Sequence, residues 1–127
     1  MTKARGLYDE PMWAGFAQRR MLLQRCTGCG AYRYPPAPSC ASCLAPAHEW
    51  VEIAGSGKIV SWAIFHRQYL PAYPAPYNVI AVQLAEGPTM VSNLEGPVPQ
   101  GSWIERDVEL AWSEAAELGP LPRFKLK

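Results

Sequence analysis

The sequence predicts a mainly β chain in which a short helix and a four-cysteine ribbon precede a five-stranded Greek-key barrel, and three observations carry that expectation. All four cysteines fall inside CTGCGAYRYPPAPSCASC, residues 26–43, as two Cys-x-x-Cys pairs separated by ten residues. Thirteen prolines and ten glycines point to many turns rather than to long helices. Beyond His48 the chain breaks into short β-branched and aromatic runs divided by turn residues. With 127 residues, 49% hydrophobic and 18% charged, the composition is that of one globular body or of a small module joined to a compact barrel.

The first element is a helix. Asp9, Glu10 and Pro11 read as its start, and Trp13, Phe16, Ala17 and Arg20 recur at helical spacing before MLLQR turns strand-like. No apolar run in MTKARGLYDEPMWAGFAQRRMLL is long enough for the core of a signal peptide, and nothing downstream approaches the ~20 apolar residues of a membrane span. The expected location is the cytoplasm, with no membrane partner. In a reducing compartment, clustered thiols are metal ligands before they are disulfides.

The cysteine ribbon follows. A Cys-x-x-Cys turn lets two thiolates converge on one ion, and two such turns complete a closed tetrahedral site, so Cys26, Cys29, Cys40 and Cys43 are read as the ligands of a structural zinc ion. Gly28 and Gly30 supply backbone freedom where a tight knuckle needs it. Iron competes, because the opening from Cys26 to Tyr32 also begins iron-binding rubredoxin-like knuckles. Leu44, where a rubredoxin usually carries Gly, favours zinc. Four thiolates leave no open position for catalysis, and such an ion can contribute on the order of 10 kcal/mol to folding a segment too small for its own core.

The barrel is read from five runs, HEWVEI, KIVSWAIFH, YNVIAVQL, TMVSN and DVELAW, punctuated by GSG, a Pro-rich loop, EGP and LEGPVPQGS. Residues 1–47 thus form helix plus ribbon, and 48–127 the barrel with a C-terminal extension. In KIVSWAIFH both alternating faces are apolar enough to be covered.

LLQRCTGCGAYRYPPAPSCASC, Trp50, AGSGKIVSWAIFH, PYNVIAVQLAEGPTMVSNL and LGPLPRFK, in that order and over nearly the whole chain, resemble the prokaryotic family that joins a rubredoxin-like zinc ribbon to an OB-fold barrel. The second knuckle departs in lacking the Pro often found between its cysteines. The resemblance implies a non-catalytic accessory subunit of acyl-CoA and lipid metabolism. Its partner would be a thiolase-superfamily enzyme (a thiolase, a lipid-transfer-type aldolase or a hydroxymethylglutaryl-CoA synthase), sometimes alongside a hot-dog-fold hydratase. Such a subunit stabilises the enzyme and helps form its acyl-CoA channel. OB barrels host many functions, so the fold alone does not license this.

The residues themselves offer little chemistry. There is no spare cysteine, no nucleophile elbow and no phosphate-cradling glycine loop, so catalysis by the chain alone is not expected. Single-stranded nucleic acid is a rival ligand for an OB barrel. Residues 48–122, however, carry three cations against nine anions, a body that repels a polyanion. Residues 1–47 carry a net plus four. If a coenzyme A thioester binds, its phosphates belong near Arg19, Arg20, Arg25 or Arg33, or on the partner enzyme, rather than along the acidic barrel, unless those arginines only offset the thiolates and nearby acids. HRQYLPAYPAPYNV, residues 66–79, is longer than a hairpin needs. His66, Arg67, Tyr69, Tyr73 and Tyr77 there, with Met12, Trp13 and Phe16 of the helix, are the candidate contacts for a partner or acyl chain. The bland readings are a rim histidine and a self-packed loop. A free-standing acyl-CoA binder is the alternative to an obligate subunit.

Overall fold

The computed structural model describes residues 8–69, 71, 74–115 and 119–127. Helix α1 spans Glu10–Ala17, with Asp9 at its N-cap and a proline in its first turn. It stops where Arg19 turns left-handed (φ 56°) and the Arg20 N–H reaches back to the Gly15 carbonyl at 2.9 Å. Gly15 allows that return, because a β carbon there would lie 2.8 Å from the same Arg20's carbonyl oxygen.

Three strands build the ribbon sheet: β1 (Leu22–Cys26), β2 (Tyr32–Arg33) and β3 (His48–Glu52), ordered β2-β1-β3 and all antiparallel. Strand β3 pairs with β1 along its length, from Leu22 opposite Glu52 to Cys26 opposite His48. HEWVEI was expected to open the barrel, and here the expectation needs correcting. The second knuckle returns the chain beside Cys26, and the nearest unpaired edge is that of β1.

The barrel uses β4 (Gly57–Phe65), β5 (Tyr77–Leu84), β6 (Thr89–Ser92), β7 (Asp107–Ala115) and β8 (Gly119–Leu126), in the order β6-β5-β4-β7-β8. A parallel bridge between Leu94 and Phe124 nearly closes it, and the five strands form the expected OB fold. The fifth strand is therefore GPLPRFKL, in the region read as an extension. Its prolines hid it, yet they cost the ladder nothing. Phe124 gives its N–H to Asn93 and accepts from Glu95, so the even-numbered residues of β8 turn their backbone groups away from β7. Pro120 and Pro122 share that orientation, and neither removes a bond to β7.

One core serves every element. Ile59, Ile80, Val82, Leu84, Met90, Val108 and Phe124 of the barrel pack with Met21, Leu23 and Ile53 from the ribbon region and Met12 and Phe16 of the helix. Gly55, at φ 78°, turns the chain from ribbon to barrel under Leu110, whose Cγ lies 2.2 Å from where a β carbon would sit.

Strand β4 does not stay in the barrel. A bulge between Ile59 and Ser61 shifts its register, β7 pairs with it only at Gly57 and Lys58, and residues 60–65 are exposed on both faces. The expectation that both faces are covered fails here. Beyond the bulge, β4 runs on as an arm with β5 on one side only, while β5 itself stays in the barrel sheet, paired with β6 as far as Ile80.

Candidate metal centre and the surfaces around it

The two knuckles are built alike. Strand β1 ends on Cys26, whose carbonyl accepts from Gly30 N–H at 2.9 Å, and Cys26 N–H donates to Ala31. In the second knuckle the Cys40 carbonyl accepts from Leu44 N–H at 2.8 Å, and Cys40 N–H donates to Ala45. Gly30 and Leu44 occupy the same place and are both left-handed, at φ 82° and 66°. Leu44 thus stands where a glycine would be relaxed, and it is 76% exposed.

All four Sγ atoms lie within 4.8 Å of one another. Cys26 to Cys43 is 3.5 Å and Cys29 to Cys40 is 3.6 Å. Both are far beyond a disulfide bond, and both are close to the ~3.8 Å edge of a tetrahedron with ~2.3 Å zinc–sulfur bonds. The four sulfurs fit one ion. In the metal-free cluster, the N–H of Cys29 pulls the Cys26 thiol down to about 6. For Cys43 the Ala45 N–H acts in the same sense, but sharing protons with the sulfurs of Cys26, Cys29 and Cys40, together with burial, outweighs it and pushes the thiol up to about 11. Protons and a cation compete for this sulfur cage.

A buried polar lock holds the second knuckle. Arg33, only 5% exposed, donates to the carbonyls of Ala37 (3.3 Å), Ala45 (2.9 Å) and Ala47 (3.2 Å). Gln24, fully buried, exchanges hydrogen bonds with the backbone of Ala37. His48 sits between them, 3.2 Å from Gln24 Nε2 and 3.3 Å from Arg33. Arg33 is therefore a framework residue rather than a surface phosphate contact. Arg33→Leu is expected to strand those carbonyls and cost about 3 kcal/mol, since each unsatisfied buried group costs roughly 1–3 kcal/mol; urea unfolding of the metal-loaded protein measures it.

The other candidate contacts separate into two groups. Phe16 and Met12 are buried in the core, Phe16 edge-on to Trp112 at 5.9 Å, so the helix face expected to meet a partner is used inside this chain. Trp13 packs edge-on against Phe16 and donates its indole N–H to Asp9. Arg19 is paired with Glu114, Arg20 with Glu52 and Arg25 with Glu49. The second group lies together at the end of the arm. Phe65 meets Tyr69 at 6.1 Å and Tyr77 at 5.2 Å, and the Arg67 guanidinium lies 5.4 Å from the Tyr69 ring centre. His66 is exposed beside them, whereas Tyr73 lies outside the described residues. The sequence reading missed Val60, Trp62 and Ile64, which are 42%, 37% and 37% exposed, with Trp62 stacked on Trp103 at 4.7 Å. A usable signal was present: between Glu52 and Glu86 there is no acidic residue.

Two family models divide the chain between them. One, described as the rubredoxin-like zinc ribbon domain of ChsH2, matches residues 13–49. The other, the C-terminal OB-fold domain of ChsH2, matches residues 50–113. The chain belongs to the ChsH2 zinc-ribbon and OB-fold family. Among solved structures, this ChsH2-family chain is similar to a chain of the "Ltp2-ChsH2(DUF35) aldolase", at 35% identity, covering 98% of both chains with a TM-score of 0.88. It is 39% identical over 118 residues to a probable enoyl-CoA hydratase alpha subunit of Thermomonospora curvata, covering 92% of this chain but only 37% of that protein. A DUF35 domain-containing scaffold protein of Pyrococcus furiosus is 28% identical over 109 residues, covering 83% of this chain and 78% of that one. The ChsH2-type ribbon supplies the four sulfurs of the cluster. No helix among the described residues is long and apolar enough to cross a membrane.

Proposed function

We propose that the chain is a non-catalytic accessory subunit that binds and stabilises a thiolase-superfamily enzyme and helps form its acyl-CoA channel, with one structural zinc ion on Cys26, Cys29, Cys40 and Cys43. The observation that carries the reading is the likeness, along 98% of both chains, to a protein whose solved structure bears the names of two proteins of one aldolase. The printed names of the other relatives, a subunit and a scaffold, support the same role. The arm supplies the physical means. Exposed aromatic and branched side chains rimmed by few charges are the composition of the buried centre of a protein interface. The acidic charge of residues 48–122 argues against coenzyme A phosphates lying along the barrel and favours the basic helix-and-ribbon end or the partner.

Co-expression with the products of neighbouring reading frames tests the proposal. The expected result is co-elution of a thiolase-superfamily enzyme that loses solubility or acyl-CoA activity when this chain is withheld. Thioester turnover by the purified chain alone, or tight binding of an acyl-CoA by it in isothermal titration without a partner, would overturn the reading.

A further inference from the structure

We infer that the partner enzyme docks by adding an extended segment of its own to the open edge of β4, so that the barrel sheet continues from this chain into the second protein. The inference rests on the accessory-subunit reading and specifies how the contact is made.

The edge is open because the barrel abandons it. Strand β7 pairs with β4 at Gly57 and Lys58 only, while β5 follows β4 to Phe65 opposite Tyr77. Among the described residues, 60–65 therefore have a strand neighbour on one side alone. Which backbone groups face outward follows from Asn78, directly opposite Ile64, whose carbonyl accepts from the Asn93 side chain and so points away from β4. Opposite residues of an antiparallel pair share their orientation, so the N–H and C=O of Ile64 point away from β5, and two-residue periodicity gives Trp62 the same orientation. No described residue bonds to them. A row of unpaired donors and acceptors along an apolar strand is a template for another strand.

Folded proteins usually blunt such an edge with a charge, a proline or a covering loop. Residues 59–65, IVSWAIF, contain no charge and no proline. The bulge at Val60 does the reverse of protecting the edge, because it carries the strand away from β7. The tip adds a cation. Arg67 rests over Tyr69 with no carboxylate partner among the described residues, whereas Arg19, Arg20, Arg25, Lys58 and Lys125 are all paired. The incoming segment thus has apolar side chains on the face shared with Trp62 and Ile64, and an acidic group near Arg67. A second copy of this chain does not fit. In antiparallel self-pairing centred on Trp62 or Ala63 the added strand would bring Arg67 no acidic group of its own, because residues 53–85 hold no Asp or Glu.

Backbone amide exchange on the complex isolated by co-expression tests the geometry. The amides of Trp62 and Ile64 should exchange quickly in the free chain and at least about 100-fold more slowly in the complex. Ile64→Pro removes an outward N–H without breaking the ladder to β5, so metal content and melting should be retained while affinity for the enzyme falls about tenfold, the worth of one backbone hydrogen bond. Ile64→Ala, which keeps the N–H, should lose less. A complex in which those two amides exchange as in the free chain, or in which alanine weakens binding as much as proline, overturns edge pairing and leaves the accessory role standing. If no thiolase-superfamily enzyme binds at all, the accessory role falls and takes this inference with it.

Discussion

Removing the metal ion is expected to unfold the ribbon and to loosen the barrel with it. Elemental analysis of the protein made in a reducing host should find one zinc per chain, and a strong chelator, or Cys40→Ser, should abolish the cooperative transition seen by circular dichroism. The magnitude decides this. A structural zinc contributes on the order of 10 kcal/mol, comparable with the whole ~5–15 kcal/mol stability of a domain. The ribbon cannot melt privately, because Met21, Leu23 and Ile53 are part of the core that holds Ile59, Val108 and Phe124. Acid should act in the same direction. The metal-free cluster holds more protons than the metal-bound one, since the Cys43 thiol stays protonated up to about 11. Metal affinity therefore falls as pH falls, and it falls more steeply below about 6, where Cys26 also takes a proton. Full stability after exhaustive chelation, with no metal detected, would contradict the structural role assigned to the cluster.

Phe124→Ala is expected to be the most damaging single change in the barrel, with a loss of about 3–5 kcal/mol in urea unfolding. Phe124 is fully buried and is the largest of the residues that are. It faces Leu110 across β7 and forms the parallel bridge to Leu94 that nearly closes the barrel. Truncating its ring opens a void beside the bridge that brings the edge strand β8 against the chain just beyond β6, where Ser92 also donates to the Pro122 carbonyl. The backbone bonds from Phe124 to Asn93 and from Glu95 to Phe124 survive the substitution, so the loss should appear as packing energy with the fold retained. A loss below about 1 kcal/mol, as at a site able to collapse, would show that closure does not depend on this side chain.

Much of this architecture could be read before any coordinates, because the signals were local. Two Cys-x-x-Cys turns specify a cluster by spacing alone, and Asp9, Glu10 and Pro11 announce a helix that begins at Glu10. The runs at β4, β5, β6 and β7 are rich in β-branched and aromatic residues and are bounded by turn residues, as strands are. What could not be read depends on partners distant in sequence. HEWVE has the texture of a barrel strand, and only the return of the second knuckle beside β1 makes it part of the ribbon. GPLPRFKL reads as a tail because proline disfavours strands, a rule suspended when every proline faces the side without a ladder bond. Phe16 looked available for a partner because nothing in its own helix says that Trp112 waits for it. Trp62 and Ile64 looked buried for the opposite reason: apolar alternation cannot tell a covered strand from one that has left the barrel.

Each knuckle contributes one sheltered sulfur and one open to solvent: Cys26 and Cys40 are buried, Cys29 and Cys43 exposed. The cage therefore has a floor and a door. Traffic of the ion, whether loading from a donor, capture by a chelator or attack by an oxidant, must begin at the two outward thiolates, while the inner pair keeps its grip until the end. Durability and exchangeability are in this way assigned to different atoms of the same four-sulfur set.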